Sequence, residues 1–163
     1  MILVAVGTSG NGFDELVQAA DRAAASLGAA GLAQIGHGRF VPATLGWARF
    51  LPDDAFRRHL AEAHVVVCHG GMGILGEAMR AGRPVVAVPR RGGTRADNPT
   101  NDQLALLRRL AERQPIAVCE QPAALEAHLR AALARYGAPI DYRLACDIPQ
   151  RIAAFLASSA ATQ

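Results

Sequence analysis

A chain of 163 residues, 51% hydrophobic and only 5% aromatic, is long enough for one domain with a core of Val, Leu, Ile and Ala, a composition that suits layered α/β packing. All 17 basic residues are arginine and the formal net charge is only +3, so a phosphate-loop lysine and a Schiff-base lysine are excluded and nucleic-acid binding is a weak reading. Cys68, Cys119 and Cys146 lack CxxC or metal-like spacing and read as reduced thiols of a cytoplasmic protein, and without a run of about 18 apolar residues nothing is expected to cross a bilayer.

The first strand is expected over Ile2–Val6, ended by Gly7-Thr8-Ser9-Gly10-Asn11-Gly12. A helix from about Phe13 sets Leu16, Val17, Ala20, Ala24 and Leu27 on one face, with Gly28 where a C-terminal glycine cap belongs. A short strand over Leu32–Ile35 follows, then an irregular stretch with a strand around Ala48–Leu51, and a helix capped by Asp53 or Asp54 and running through Leu60. The unbroken apolar run Val65–Cys68 marks a parallel strand covered on both faces. A helix from about Ile74 stops at Gly82-Arg83-Pro84, and Val85–Val88 is a further buried strand. Residues 90–100 are rich in arginine and glycine and read as a solvated loop. A helix from about Asn101 turns Leu104, Leu107 and Leu110 inward, Ile116–Val118 is a last strand, and helices are expected from Pro122 to Arg135 and from Pro149 to Ala157. Five or six alternating βα units predict a single domain over residues 1–163, a doubly wound, mostly parallel, Rossmann-like sheet with helices on both faces.

In such a sheet ligands sit beyond the carboxyl ends of the strands. Two glycine turns lie there, Gly7–Gly12 and Gly70-Gly71-Met72-Gly73. Backbone amides without flanking side chains, together with a helix start, can approach a phosphate closely. His69 can add a hydrogen bond to a diphosphate. Glu77, one or two turns into the following helix, suits the two hydroxyls of a ribose. Asp102 and Gln103 open the helix after the next strand, at the same edge, and suit the hydroxyls of a hexose. Gly7, Thr8, His69, Gly70, Gly71, Met72, Gly73, Glu77, Asp102 and Gln103 are therefore the expected nucleotide-sugar site, with Arg90, Arg91 and Asn101 flanking it and no metal required.

Each residue has an ordinary alternative. Glu77 alone is a surface helix acid, Asp102 alone a helix-start residue, and His69 alone a structural histidine. Asp14 reads first as a helix-start residue. Gly71-x-Gly73-x-x-Gly76 also fits a dinucleotide fingerprint, but it lies mid-chain and the next strand ends in Pro89-Arg90-Arg91 rather than an acid. His37, His59, His64 and His128 show no metal-like spacing.

The combination His69-Gly70-Gly71-Met72-Gly73, Glu77-Ala78, Gly82-Arg83-Pro84, Pro89-Arg90-Arg91 and Asn101-Asp102-Gln103-Leu104 resembles the C-terminal domain of glycosyltransferase family 28. The resemblance is to its small stand-alone members: the soluble donor-binding subunits of two-component bacterial exopolysaccharide transferases and of the dolichol-linked N-acetylglucosamine transferase. It implies the C-terminal half of a GT-B enzyme. The expected activity is inverting, metal-independent transfer of a hexose from a UDP-sugar to a lipid-linked acceptor. It also implies a heterodimer with a membrane-anchored acceptor-binding subunit, which would recruit the chain to the inner face of the membrane. Glu77 would then hold the ribose, Gly70–Gly73 and His69 the diphosphate, and Asp102 and Gln103 the sugar. The other reading is a nucleotide-sugar-binding regulatory module with no turnover of its own. A UDP-sugar epimerase would need a second domain for which the length leaves no room.

Overall fold

The computed structural model describes residues 1–91, 102–135, 137, 140–142 and 152. Among them six strands form one sheet: β1 (Ile2–Ala5), β2 (Gly31–Gln34), β3 (Gly46–Ala48), β4 (Val65–His69), β5 (Val85–Val88) and β6 (Ala117–Val118). Their order is β3-β2-β1-β4-β5-β6 and every pairing is parallel. Five helices connect or follow them: α1 (Asp14–Leu27), α2 (Asp53–Glu62), α3 (Met72–Arg80), α4 (Leu104–Ala111) and α5 (Leu125–Ala134).

The apolar runs explain the layering. β1 pairs with β2 on one side and β4 on the other, so both of its faces must be covered, and all four of its residues are buried. Alternate residues feed two separate cores. Ile2, Val4, Val65, Val67, Val86 and Val88 pack with Leu16, Val17 and Ala20 of α1 and Leu125 and Leu129 of α5. Leu3, Val66, Cys68, Val85 and Ala87 pack with Leu60 of α2, Leu75, Ala78 and Met79 of α3 and Leu107 of α4. Right-handed crossovers place α1 and α3 on opposite faces because the chain leaves β1 and β4 in opposite directions along the sheet. That divergence opens a crevice between the carboxyl ends of β1 and β4.

The expected helix ends are present. Gly28 adopts φ 59° and its amide donates to the Ala24 and Ala25 carbonyls. After α3, Gly82 takes φ 64°, its N–H reaches the Met79 carbonyl, and the Arg83 N–H reaches that of Ala78. The edge strand differs from expectation: it is Gly46–Ala48, two residues earlier than Ala48–Leu51. Asp21 is the reason. This carboxylate on α1 accepts the amides of Ala43, Thr44 and Leu45 at 2.9–3.0 Å, which fixes where the chain turns into β3. The Leu51 amide, expected in the strand, donates instead to Gln34 Oε1 at 2.9 Å.

Two helices start away from their expected positions: α3 begins at Met72 and α4 at Leu104. Leu107 is buried as expected, whereas Leu104 and Leu110 are only partly covered. The helix expected at Pro149–Ala157 and the loop 92–100 lie outside the described residues, apart from Ile152.

Candidate functional site

The crevice at the β1/β4 switch point holds a cavity of about 400 Å³, lined by Gly7, Thr8 and Ser9 after β1, Gln34 of β2, Leu51, Asp53 and Phe56 around the start of α2, and His69, Gly71, Gly73 and Ile74 after β4. Five of the expected site residues, Gly7, Thr8, His69, Gly71 and Gly73, are thus brought to one wall.

His69 sits between the two glycine turns. A Cβ on Gly7 would come 2.7 Å from its Cε1, and a Cβ on Gly71 would overlap its Nε2. Gly7 also takes φ 78°, a conformation that side chains disfavour. Two glycines are therefore required where the ring passes. Burial, and secondarily the Arg90 charge, lower the His69 pKa to about 4 against a weaker pull from the Ala5 carbonyl. The ring is neutral at physiological pH. Its Nδ1 is buried without a hydrogen-bond partner among the described residues.

Helix α3 starts at this wall with Gly71 as N-cap (φ −74°, ψ 123°) and no side-chain cap. Its first-turn amides and the positive end of its dipole therefore face the crevice. Glu77 lies one turn beyond Gly73 and Ile74 on the same helix face, half-buried, with its Oε1 2.5 Å from Arg80 Nη2. Met72 is the first residue of α3 and 53% exposed.

The remaining expected residues are placed differently. Gln103 lies behind the glycine turn rather than in front of it. Its Oε1 accepts the Gly70 amide at 2.8 Å and the Arg90 amide at 3.1 Å, and a Cβ on Gly70 would come 2.9 Å from the Gln103 Cβ. Asp102 is exposed and its Oδ1 accepts the Leu104 amide at 3.0 Å, which is the ordinary helix-start role. Arg91 is exposed and 3.9 Å from Glu120, whose carboxylate is held mainly by Arg108 at 2.7 Å. Asn101 lies outside the described residues.

Arg90 overturns the expectation of a solvated side chain. It is 7% exposed, because β5 delivers it inward: Nη2 donates to the Val6 carbonyl at 3.0 Å, Nη1 to the Gly12 carbonyl at 2.8 Å, and Cζ lies 4.7 Å from the centre of the Phe13 ring. It holds the turn after β1. Ser9, Gln34, Leu51, Asp53, Phe56 and Ile74 were not expected in the site. The signal for them was the sheet itself, since the rule that places ligands beyond the carboxyl ends applies to β2 and the α2 start as well as to β1 and β4. No three His, Cys, Asp or Glu side chains group as metal ligands among the described residues.

The family model for the glycosyltransferase family 28 C-terminal domain matches residues 1–137. The chain belongs to this family. The sheet accordingly has the fold of the C-terminal half of GT-B glycosyltransferases. Solved structures with the family 28-like fold include CalG4, the calicheamicin glycosyltransferase (23% identity over 82% of this chain and 34% of that one, TM-score 0.63). VinC in complex with dTDP gives 22% identity over 82% and 33%, TM-score 0.57. Acinetobacter baumannii MurG gives 22% over 80% and 40%, TM-score 0.56. The family 28 chain thus spans well under half the length of these enzymes, and no curated protein matches it significantly by sequence. Among its described residues no helix is long and apolar enough to cross a membrane.

Proposed function

We propose that this chain is the donor-binding unit of a glycosyltransferase that moves a hexose from a UDP-sugar to a lipid-linked acceptor. The observation that carries the reading is the switch-point cavity of a family 28 domain, walled by two glycine turns with a neutral histidine seated between them. Leu51, Phe56 and Ile74 offer an apolar wall for a planar base. Glu77, one turn deeper on α3, is the ribose ligand, exchanging its Arg80 contact for two sugar hydroxyls. The α3 amides at Gly71–Gly73 and a neutral His69 donor receive the diphosphate.

In the transfer step an acceptor hydroxyl oxygen forms a bond to the anomeric carbon from the face opposite the leaving group. The bond from that carbon to the diphosphate oxygen breaks, and its electron pair leaves with UDP. The amides and His69 stabilise the charge that develops there. The acceptor proton passes to a base in hydrogen-bond reach of the hydroxyl, which in this reading belongs to a membrane-anchored partner supplying the other half of the enzyme and recruiting the chain to the inner membrane face. Gln103 takes part from behind, by holding the Gly70 turn, and Asp102 and the flanking Arg91 and Asn101 are the remaining contacts for the hexose.

Calorimetric titration with UDP, dTDP and a panel of UDP-sugars tests the donor site, followed by transfer assays with and without membranes carrying the partner. Binding of uridine nucleotides in preference to dTDP is expected. Absence of affinity for any uridine nucleotide, with the partner included, would refute the proposal, and full-rate transfer by the isolated chain would refute the partner.

A further inference from the structure

We infer that Arg90 is a positioning residue of this crevice: its guanidinium clasps both ends of the Gly7–Gly12 turn and so fixes the seat of the His69 ring, without itself touching the ligand. The inference deepens the nucleotide-binding reading and rests on it only where ligand affinity is measured.

The geometry is that of a clasp. The Val6 and Gly12 carbonyls bracket the turn, and one planar side chain reaches both, at 3.0 and 2.8 Å. Phe13, the residue that leads into α1, lies against the face of the same guanidinium. On the backbone side, the Arg90 amide and the Gly70 amide share Gln103 Oε1, and the Arg90 carbonyl accepts the Gln103 amide at 3.0 Å. Arg90 therefore ties together the turn after β1, the turn after β4 and the start of α4. The turn and the ring are neighbours, since a Cβ on Gly7 (φ 78°) would come 2.7 Å from Cε1 of the imidazole. A lysine could not replace the fork, because an ammonium on a flexible stem lacks the planar, fixed pair of donors that spans two carbonyls. No carboxylate pairs with Arg90 among the described residues, so its charge acts on His69. The other titratable group on the cavity wall, Asp53 of α2, is engaged by Arg57 at 3.0 Å.

The test uses the full chain with Arg90→Met and Arg90→Lys, and three readouts: NMR order parameters for residues 7–12, the His69 titration by NMR, and UDP affinity by calorimetry. In R90M the order parameters of the turn are expected to fall below about 0.6, the His69 pKa to rise by about one unit, and the Kd for UDP to rise roughly 10-fold. R90K keeps the charge and loses the fork, so it should loosen the turn while leaving the His69 titration low. An R90M protein with an ordered turn and an unchanged His69 titration would overturn the inference. So would unfolding of both variants, which would make Arg90 a general core residue. Should the unsubstituted chain fail to bind UDP, the nucleotide reading falls, and the order parameters and titration still decide the role of Arg90.

Discussion

Gly71→Ala is the sharpest probe of how the crevice is built. Gly71 has φ −74°, so alanine meets no backbone penalty there. Its new methyl, however, would fall on Nε2 of His69, with Cε1 at 2.7 Å and Cδ2 at 3.1 Å. The obstacle is a rigid, partly buried ring rather than the far end of a flexible side chain. Inserting one methyl into such a space costs about 1–3 kcal/mol. In a His69→Ala background the obstacle is gone and the same substitution should cost less than about 0.5 kcal/mol. Urea unfolding of the wild type, both single variants and the double variant gives the coupling directly. Gly7→Ala provides a contrast, since its left-handed φ adds ~1–2 kcal/mol that removing His69 does not relieve. Equal costs of Gly71→Ala in the two backgrounds would show that the ring is not wedged between the turns.

Asp21→Ala should cost about 2–4 kcal/mol in urea unfolding at pH 7, because three backbone amides lose a carboxylate acceptor. Those amides hold the Asp21 pKa below its usual value although burial opposes them. The stabilisation is therefore complete above the unfolded-state pKa near 4 and is lost as pH falls through the lower folded value, so the cost of the substitution shrinks towards pH 2. For His69 the folded pKa of about 4 lies below the ordinary imidazole value of 6.5. The unfolded chain then takes up the proton first, and stability declines as pH drops from 6.5 to 4, by at most about 3.5 kcal/mol and ~1–2 kcal/mol once solvent at the open edge is counted. His69→Gln should flatten that part of the pH profile. Glu77→Gln should raise the Kd for UDP roughly 10-fold and leave that for 2′-deoxy-UDP within about twofold, and an equal loss for both nucleotides would separate Glu77 from the ribose.

The fold was legible because its signals are local and mutually consistent. Val65–Cys68 and Val85–Val88 are apolar without interruption, Gly28 and Gly82 end helices, and the alternation of strand and helix leaves few topologies to consider. Gly7, Gly71, Gly73 and His69 come to the cavity wall for a similar reason: they occupy the strand-to-helix turns at the carboxyl edge of a doubly wound sheet. What sequence could not convey was direction across long separations. Asp21 reaches residues 43–45 from the middle of α1, and Arg90 reaches back to Val6 and Gly12. Both look like ordinary surface charges until tertiary structure sets their partners. Gln103 lies at the expected edge, but sequence could not convey that its carboxamide oxygen also holds the turn, accepting two backbone amides.

The electrostatic design of the crevice follows from these long-range contacts. A chain without lysine must meet an anion with dipoles and arginine, and an exposed arginine gives up much of its attraction to solvent screening. Burying the charge of Arg90 avoids that screening but carries a desolvation penalty, which the Val6 and Gly12 carbonyls and the Phe13 ring offset. A carboxylate would have offset it more fully and would also have cancelled the field. Neutral acceptors leave the positive potential in place behind His69, where it adds to the larger effect of burial in keeping the imidazole unprotonated. In the proposed binding mode the residue facing the diphosphate is then a fixed neutral donor that needs no proton uptake, and the positive charge stands one layer behind it. Val6 is buried and a Cβ on Gly12 would come 2.6 Å from the Gly38 Cα, so the turn's ends are held by packing as well as by the guanidinium.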